Sequence, residues 1–249
     1  MHLLKFAYDG SLFQGYSRQV GKITVEGEII NTMERFGLKA VLKSSSRTDR
    51  GVSALGNVIG IKSERNLKDI IGILKNARNL YFYAYAEVDD SFNPRHANER
   101  WYRYMTPYEY QEIEKIREKA NIFIGEHDFS LFSRRDGRNT LRRINSIEVK
   151  IQNDFLVFDI KGESFLWNMV RRVVGYLLYG KGDPFVEGGK YNVPPAGLIL
   201  MDVSYNFSFT RLEIYKKKLD IIYQEIGTRN FLYESLRRIS EGRWGIEPQ

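Results

Sequence analysis

The sequence predicts an α+β fold: two ferredoxin-like halves building a mostly antiparallel sheet, with helices packed on one side. Three observations lead there. Residues 3–88 carry periodicities that read strand, helix, strand, strand, helix, strand, the order of a ferredoxin-like unit. The stretch Phe92-Asn93-Pro94-Arg95-His96-Ala97 then interrupts the pattern and reads as a linker, with Pro94 as its punctuation. Beyond it come a strand, a helix, a hairpin, a helix and a strand. The expected division is an N-terminal α+β domain, residues 1–94, and a C-terminal one, residues 95–249, with no internal repeat strong enough in sequence to mark it.

Each element has its own reason. Residues 3–8 are an apolar strand ended by Asp9-Gly10. Thr24 is placed to cap a helix in which Val25, Ile29, Met33 and Phe36 recur at helical spacing, and Gly37 stops it. Two short apolar runs, 38–42 and 55–61, are strands, and a second helix covers about 67–75. An aromatic strand at 81–88 closes the half. In the strand 100–105, alternation puts Tyr102 and Tyr104 on one face, with Trp101 and Arg103 on the other. Thr106-Pro107-Tyr108-Glu109 has the form of a capping box with Pro at the first helical position, predicting a helix from there to about Phe123. A hairpin turns at Gln152-Asn153-Asp154, an apolar helix covers 165–179, and a strand covers 196–203. Thr210-Arg211-Leu212-Glu213 reads as a second capping box, opening a helix to about 226, with a short arginine-bearing tail behind it.

The chain has 249 residues, enough to bury a sizeable core. Thirty-eight basic residues against 31 acidic give a net charge of +7, which favours a polyanionic partner. There is no cysteine, which removes disulfides, thiolate metal sites and Cys nucleophiles, and the three histidines (His2, His96, His127) are too few for a His-rich metal site. His127-Asp128 has no Ser or Cys nucleophile pattern beside it and reads as a turn cap. No apolar run is long enough to span a membrane and no signal-peptide pattern opens the chain, so a cytoplasmic location is expected.

The stretch that carries chemistry is Ser46-Arg47-Thr48-Asp49-Arg50-Gly51-Val52-Ser53-Ala54, an acid between two arginines on a loop between strands. A carboxylate held in such a loop can be a nucleophile, a base or a substrate anchor, or simply cap its own turn. Residues 133–143 form the densest basic patch, with Arg134, Arg135 and Arg138 among five arginines against one acid. Arg171 is the anomaly of the apolar helix, sharing a face with Trp167, Val174 and Leu178, where a guanidinium needs a partner or a path to water. Asp49 is the candidate partner.

The nonapeptide resembles the G-R-T-D-(K/A)-G-V-x-A motif of the TruA family of tRNA pseudouridine synthases. Other stretches resemble that family in order: Tyr8-Asp9-Gly10 with Phe13, Gly15, Arg18 and Gln19; Tyr102-Arg103-Tyr104; Gly125-Glu126-His127-Asp128-Phe129; Phe165 with Met169-Val170-Arg171 and Gly175; and Ala196-Gly197-Leu198. The resemblance spans about residues 3–203. Ser46 stands where the family usually has Gly, Tyr16 where it has Trp, Ser17 where it has Gln and Ser53 where many members have His; a Ser46 required to take positive φ would be strained.

The resemblance implies a pseudouridine synthase fold with a central catalytic cleft, an isomerase acting on uridines 38–40 of the tRNA anticodon arm, and a homodimer. Asp49 would be the nucleophile, at the ribose C1′ or on the base. Tyr102 would stack on the base, Arg47 would fill the vacated space or hold a phosphate, and Arg171 would pair with Asp49. From charge and position, Arg18, Gln19, Arg100, Arg134, Arg135 and Arg138 are expected at the RNA. The reaction gains and loses no atoms, so no metal and no organic cofactor is expected. A non-catalytic RNA-binding module of two ferredoxin-like halves is the alternative from another class. A hydrolase would want a second carboxylate or a metal cluster, and no suitable spacing of acids is present.

Overall fold

The computed structural model of the chain describes residues 1–133, 139–212, 228 and 236. It divides into two compact units, Met1–Arg211 and Leu212–Gln249. The first holds all the strands described here.

Its first four strands and two helices are β1 (His2–Tyr8), α1 (Val25–Arg35), β2 (Val41–Ser44), β3 (Ser53–Lys62), α2 (Leu67–Leu74) and β4 (Leu80–Glu87). Then follow β5 (Glu99–Pro107), α3 (Ile113–Asn121), β6 (Gly125–Asp128), β7 (Leu141–Gln152), β8 (Phe155–Gly162), α4 (Met169–Tyr179), the single turn α5 (Pro184–Glu187), β9 (Leu198–Ser204) and the short β10 (Thr210–Arg211). One sheet takes them all, in the order β10-β4-β1-β3-β9-β5-β8-β7-β6, with β2 on β3 off that path. Within it, β4-β1-β3-β2 and β9-β5-β8-β7 are the same ferredoxin-like arrangement used twice, as the order of elements predicts, though the two halves share no repeat strong enough to see in the sequence.

Local signals act as the sequence predicts in several places. The Thr24 side chain accepts from Gly27 N and caps α1, whose buried residues include Val25, Ile29 and Met33. Asn153 and Asp154, at φ 48° and 60°, form the two-residue turn that joins β7 to β8. Phe6, Phe82 and Phe158 are fully buried.

Other elements start elsewhere than expected. The Thr106-Pro107 box opens no helix. Those residues continue β5 along β8, with Thr106 opposite Leu156 and Pro107 opposite Phe155, and Tyr108 N donates to Asp154 O at 2.8 Å. Ladder pairing outweighs the local cap, and α3 begins only at Ile113. Thr210 and Arg211 pair with β4, and the helix expected from 212 to 226 lies outside the described residues. The sequence reading also passed over β6, which pairs with β7 beside a turn in which Asp128 accepts from Ser130 N.

The two halves meet along β3 and β9, which run parallel at Ser53–Ile199 and Ala54–Leu200. The outer edge of β3 is therefore shared. Its far end, Ile59 to Lys62, takes β2, while Ser53 and Ala54 take β9. Residues 45–52 leave the sheet at that fork. Each side of the seam carries a bulge, one extra residue in β3 between Ala54 and Asn57 and one in β9 at Met201. The strands approach so closely that a Cβ on Gly56 would sit 2.6 Å from Met201 O. The β9 bulge falls where Trp101 pairs with Asp202 and Tyr102 with Leu200.

Candidate active site

The loop at the fork is anchored from below by buried polar groups. Tyr8 OH and Thr48 Oγ1 lie 2.8 Å apart, Asn57 Nδ2 donates to Tyr8 OH and to Ser46 O, and Tyr16 OH donates to Ser44 Oγ. Burial raises the Tyr8 and Tyr16 phenols well above their ordinary value, so both stay protonated donors. The loop turns at Asp49, whose carbonyl accepts from Val52 N at 3.2 Å. Gly51, third in that turn, has φ 84°, the left-handed conformation that makes glycine the natural residue there. Ser46 is not among the residues with positive φ, so the change from the usual glycine carries no backbone strain. Its Oγ is put to use, accepting from Arg100 Nε at 3.0 Å.

The result is an open cleft of about 940 Å³ whose wall includes Asp49, Tyr102, Arg47, Arg100 and Arg171. Asp49 is partly exposed, at 30% of its side chain. Its Oδ1 accepts from Trp167 Nε1 at 2.7 Å, and its Oδ2 lies 3.4 Å from Arg171 Nη1. Arg171 is held by Asn168 Oδ1 at 3.0 Å and by Val193 O at 2.7 Å. Tyr102 is buried and meets Phe165 edge to face at 5.2 Å. Burial pushes its phenol up to about 12; Arg100 and a hydrogen bond with Ser46 pull it down, while Asp49 pushes it further up.

Among the described residues, the charged side chains of this wall are Lys22, Arg47, Arg50, Arg95, Arg100, Arg142 and Arg171 on one side of the balance and Asp49 alone on the other. Arg47 is exposed and makes no hydrogen bond or ion pair among the described residues. Gln19 lies on the rim, where it donates to Gln14 O and accepts from Lys22. Arg18 lines a separate groove beside α1. Arg100 is buried, and its guanidinium is directed into the protein, at Ser46 Oγ, Ser45 O, Arg95 O and Glu163 O. Arg134, Arg135 and Arg138 lie outside the described residues.

His127 stacks on Phe185 at 4.7 Å and bonds Ile124 O, far from any nucleophile arrangement. Among the described residues no group of three or more His, Cys, Asp or Glu side chains is placed to hold a metal ion, and no helix is long and apolar enough to cross a membrane.

Sequence reasoning missed Trp167 as a partner of Asp49. Its one signal was the four-residue step to Arg171. The helix expected from 165 begins only at Met169, because Asn168 takes φ 64° and turns the chain just before it. The Asn57 and Tyr8 supports were missed too, since a polar residue within a strand gives no sign of what lies above it.

The cleft falls in a chain with close relatives. A tRNA pseudouridine synthase A of Pyrococcus furiosus is 39% identical over 256 residues, covering 96% of this chain and 95% of that one. The chain belongs to the tRNA pseudouridine synthase A family. A tRNA pseudouridine synthase A of Picrophilus torridus is 38% identical over 216 residues, covering 85% of each chain. The family model described as tRNA pseudouridine synthase matches residues 120–185, which include Arg171 and Trp167. Among solved structures, a Cbf5-Nop10-Gar1 complex matches with a TM-score of 0.39 at 14% identity, over 84% of this chain and 48% of that one. Membership of the tRNA pseudouridine synthase A family makes the protein a pseudouridine synthase, an RNA-modifying isomerase.

Proposed function

We propose that the protein converts uridine to pseudouridine in the tRNA anticodon arm, at nucleotides 38–40, with Asp49 as the nucleophile. The observation that carries this reading is the lone carboxylate in a cleft whose other described charges are basic. A basic cleft attracts a phosphate backbone, and a single carboxylate in it is the group able to attack.

The reaction breaks the bond from uracil N1 to ribose C1′ and forms one from C5 to C1′. The proton that leaves C5 is balanced by one gained at N1, so atoms and electrons are conserved. Asp49 makes a transient bond to the nucleotide while the base turns. Arg171 and Trp167 hold the carboxylate oxygens. Tyr102, neutral at physiological pH, offers an aromatic wall and a hydroxyl donor. A stacked base must first leave its stack, and Arg47, exposed two residues from Asp49, would fill the vacancy or hold a phosphate. Gln19 on the rim and Arg18 beside it supply RNA contacts, as do Arg134, Arg135 and Arg138. Arg100 serves through the loop it supports. The resemblance alone carries a homodimer, and a cytoplasmic setting rests on the sequence's lack of a signal-peptide pattern and of a membrane-spanning run.

Pseudouridine is measured in unmodified tRNA transcripts bearing uridine at 38, 39 or 40, with wild type and Asp49→Asn, and tRNA binding is followed in parallel. Product from wild type only, with binding retained by both, is the expected result. Tight binding without product from wild type would leave an RNA-binding module instead.

A further inference from the structure

A side chain at the tip of a turn is free about two torsions unless something holds it. The buried network under the loop fixes residues 44, 46 and 48, and none of its bonds reaches the Asp49 carboxylate. Two donors do. Arg171 Nη1, at 3.4 Å, is beyond the usual range for such a bond and is nearer to Asn168 Oδ1, at 3.0 Å. The indole of Trp167, at 2.7 Å, makes the shorter contact.

We propose that Trp167 is a positioning residue, whose indole N–H fixes the orientation of the Asp49 carboxylate for attack. The inference rests on the reading of Asp49 as nucleophile. The chemistry of the donor suits the task. An indole N–H donates once, accepts nothing and carries no charge. It can therefore orient one oxygen without neutralising the nucleophile or taking a proton from it. Arg171, clamped by Val193 O and Asn168 Oδ1, supplies the positive charge from a fixed frame. Trp167, just before the left-handed Asn168, and Arg171, inside α4, converge on the same carboxylate. Trp167 is 48% exposed, so its replacement leaves the core intact.

The test compares wild type, Trp167→Phe, Trp167→His and Asp49→Asn on an unmodified tRNA transcript, separating kcat from KM, with thermal unfolding to confirm the fold. Phe keeps a ring and removes the donor; His restores an N–H. The expected result is a fall in kcat of about tenfold or more for Trp167→Phe, the scale of one hydrogen bond to a charged group. KM should stay near that of wild type, and Trp167→His should recover part of the loss. A Trp167→Phe enzyme with wild-type kcat beside an inactive Asp49→Asn would overturn the inference and leave the nucleophile standing. So would a change confined to KM, which would make the ring a stacking surface for the base, or a His variant no better than Phe. An active Asp49→Asn would overturn both readings.

Discussion

Two carboxylates in this protein share the same kinds of partner and serve different ends. Asp159, in β8, accepts from Trp101 Nε1 at 2.7 Å and from both Nε and Nη2 of Arg103 at 2.8 Å, with Lys150 at 3.2 Å. Asp49 also meets one tryptophan at 2.7 Å and one arginine, but the arginine stands at 3.4 Å. Asp159 is closed on both oxygens and its side chain is 5% exposed; Asp49 is 30% exposed beside a cleft. The bidentate arginine fork makes the difference. Strand register places Arg103 directly opposite Asp159, so the pair is fixed by the ladder. Asp49 meets its arginine across the seam between the halves, from a loop, and one oxygen stays loosely held. The same kinds of partner saturate Asp159 and leave Asp49 open to the cleft.

The largest effect expected separates the two acids by activity. With Asp49 as the proposed nucleophile, Asp49→Asn should lower turnover by at least about 10⁴-fold, while the unfolding midpoint changes little because Arg171 keeps Val193 O and Asn168 Oδ1. Asp159→Ala should do the reverse. It leaves Arg103 and Trp101 without their acceptor and should cost about 3 kcal/mol in denaturant unfolding, with turnover per folded molecule near that of wild type. Loss of activity in Asp159→Ala at full stability would break the comparison.

A pH series sharpens it further. Burial pushes the Asp159 carboxyl up, but the hydrogen bonds from Arg103, Trp101 and Lys150 outweigh it, and the net displacement is downward. A carboxyl whose folded value lies below its unfolded one contributes stability in full above the unfolded value, near 3.9, and loses it as pH falls through the folded value. Wild type should therefore lose stability as pH falls below the unfolded value of about 3.9, and Asp159→Ala should lose less. Urea unfolding at pH 6 and pH 3 reads the difference.

How legible each site was follows from how local its causes are. The Asp49 loop was visible because its turn residues and flanking charges are consecutive in the chain. The Thr24 cap and the Asn153-Asp154 turn were visible for the same reason. The two ferredoxin-like halves were legible from the order of periodicities, while their pairing side by side was not, since it resides in strand pairing and not in residue identity. The Thr106-Pro107 box misled because ladder bonds to β8 were not in view. Trp167 was read as a face-mate of Arg171, but the long-range bond from its indole to Asp49 was not in view. Arg100, expected at the RNA from its charge, is buried with its hydrogen bonds turned inward, and only burial could show that.

A smaller loss of turnover than that of Asp49→Asn is expected from Gly51→Ala, a change in the turn beneath Asp49 that removes neither carboxylate. Gly51 holds φ 84°, which an alanine adopts at a cost of about 1–2 kcal/mol. The added Cβ would come no closer than 3.4 Å to Pro195 Cγ, so the backbone, not crowding, sets the penalty. The turn from Asp49 to Val52 must relax to relieve it, and relaxation moves Asp49 away from Trp167 and Arg171. Turnover should fall by about ten- to a hundredfold, since sub-ångström placement governs attack. Asp159 has no such weakness, because its position is set by a strand paired on both edges. A Gly51→Ala enzyme that loses stability but keeps full turnover would show that Asp49 is held by its hydrogen bonds alone, and that the turn beneath it matters only to folding.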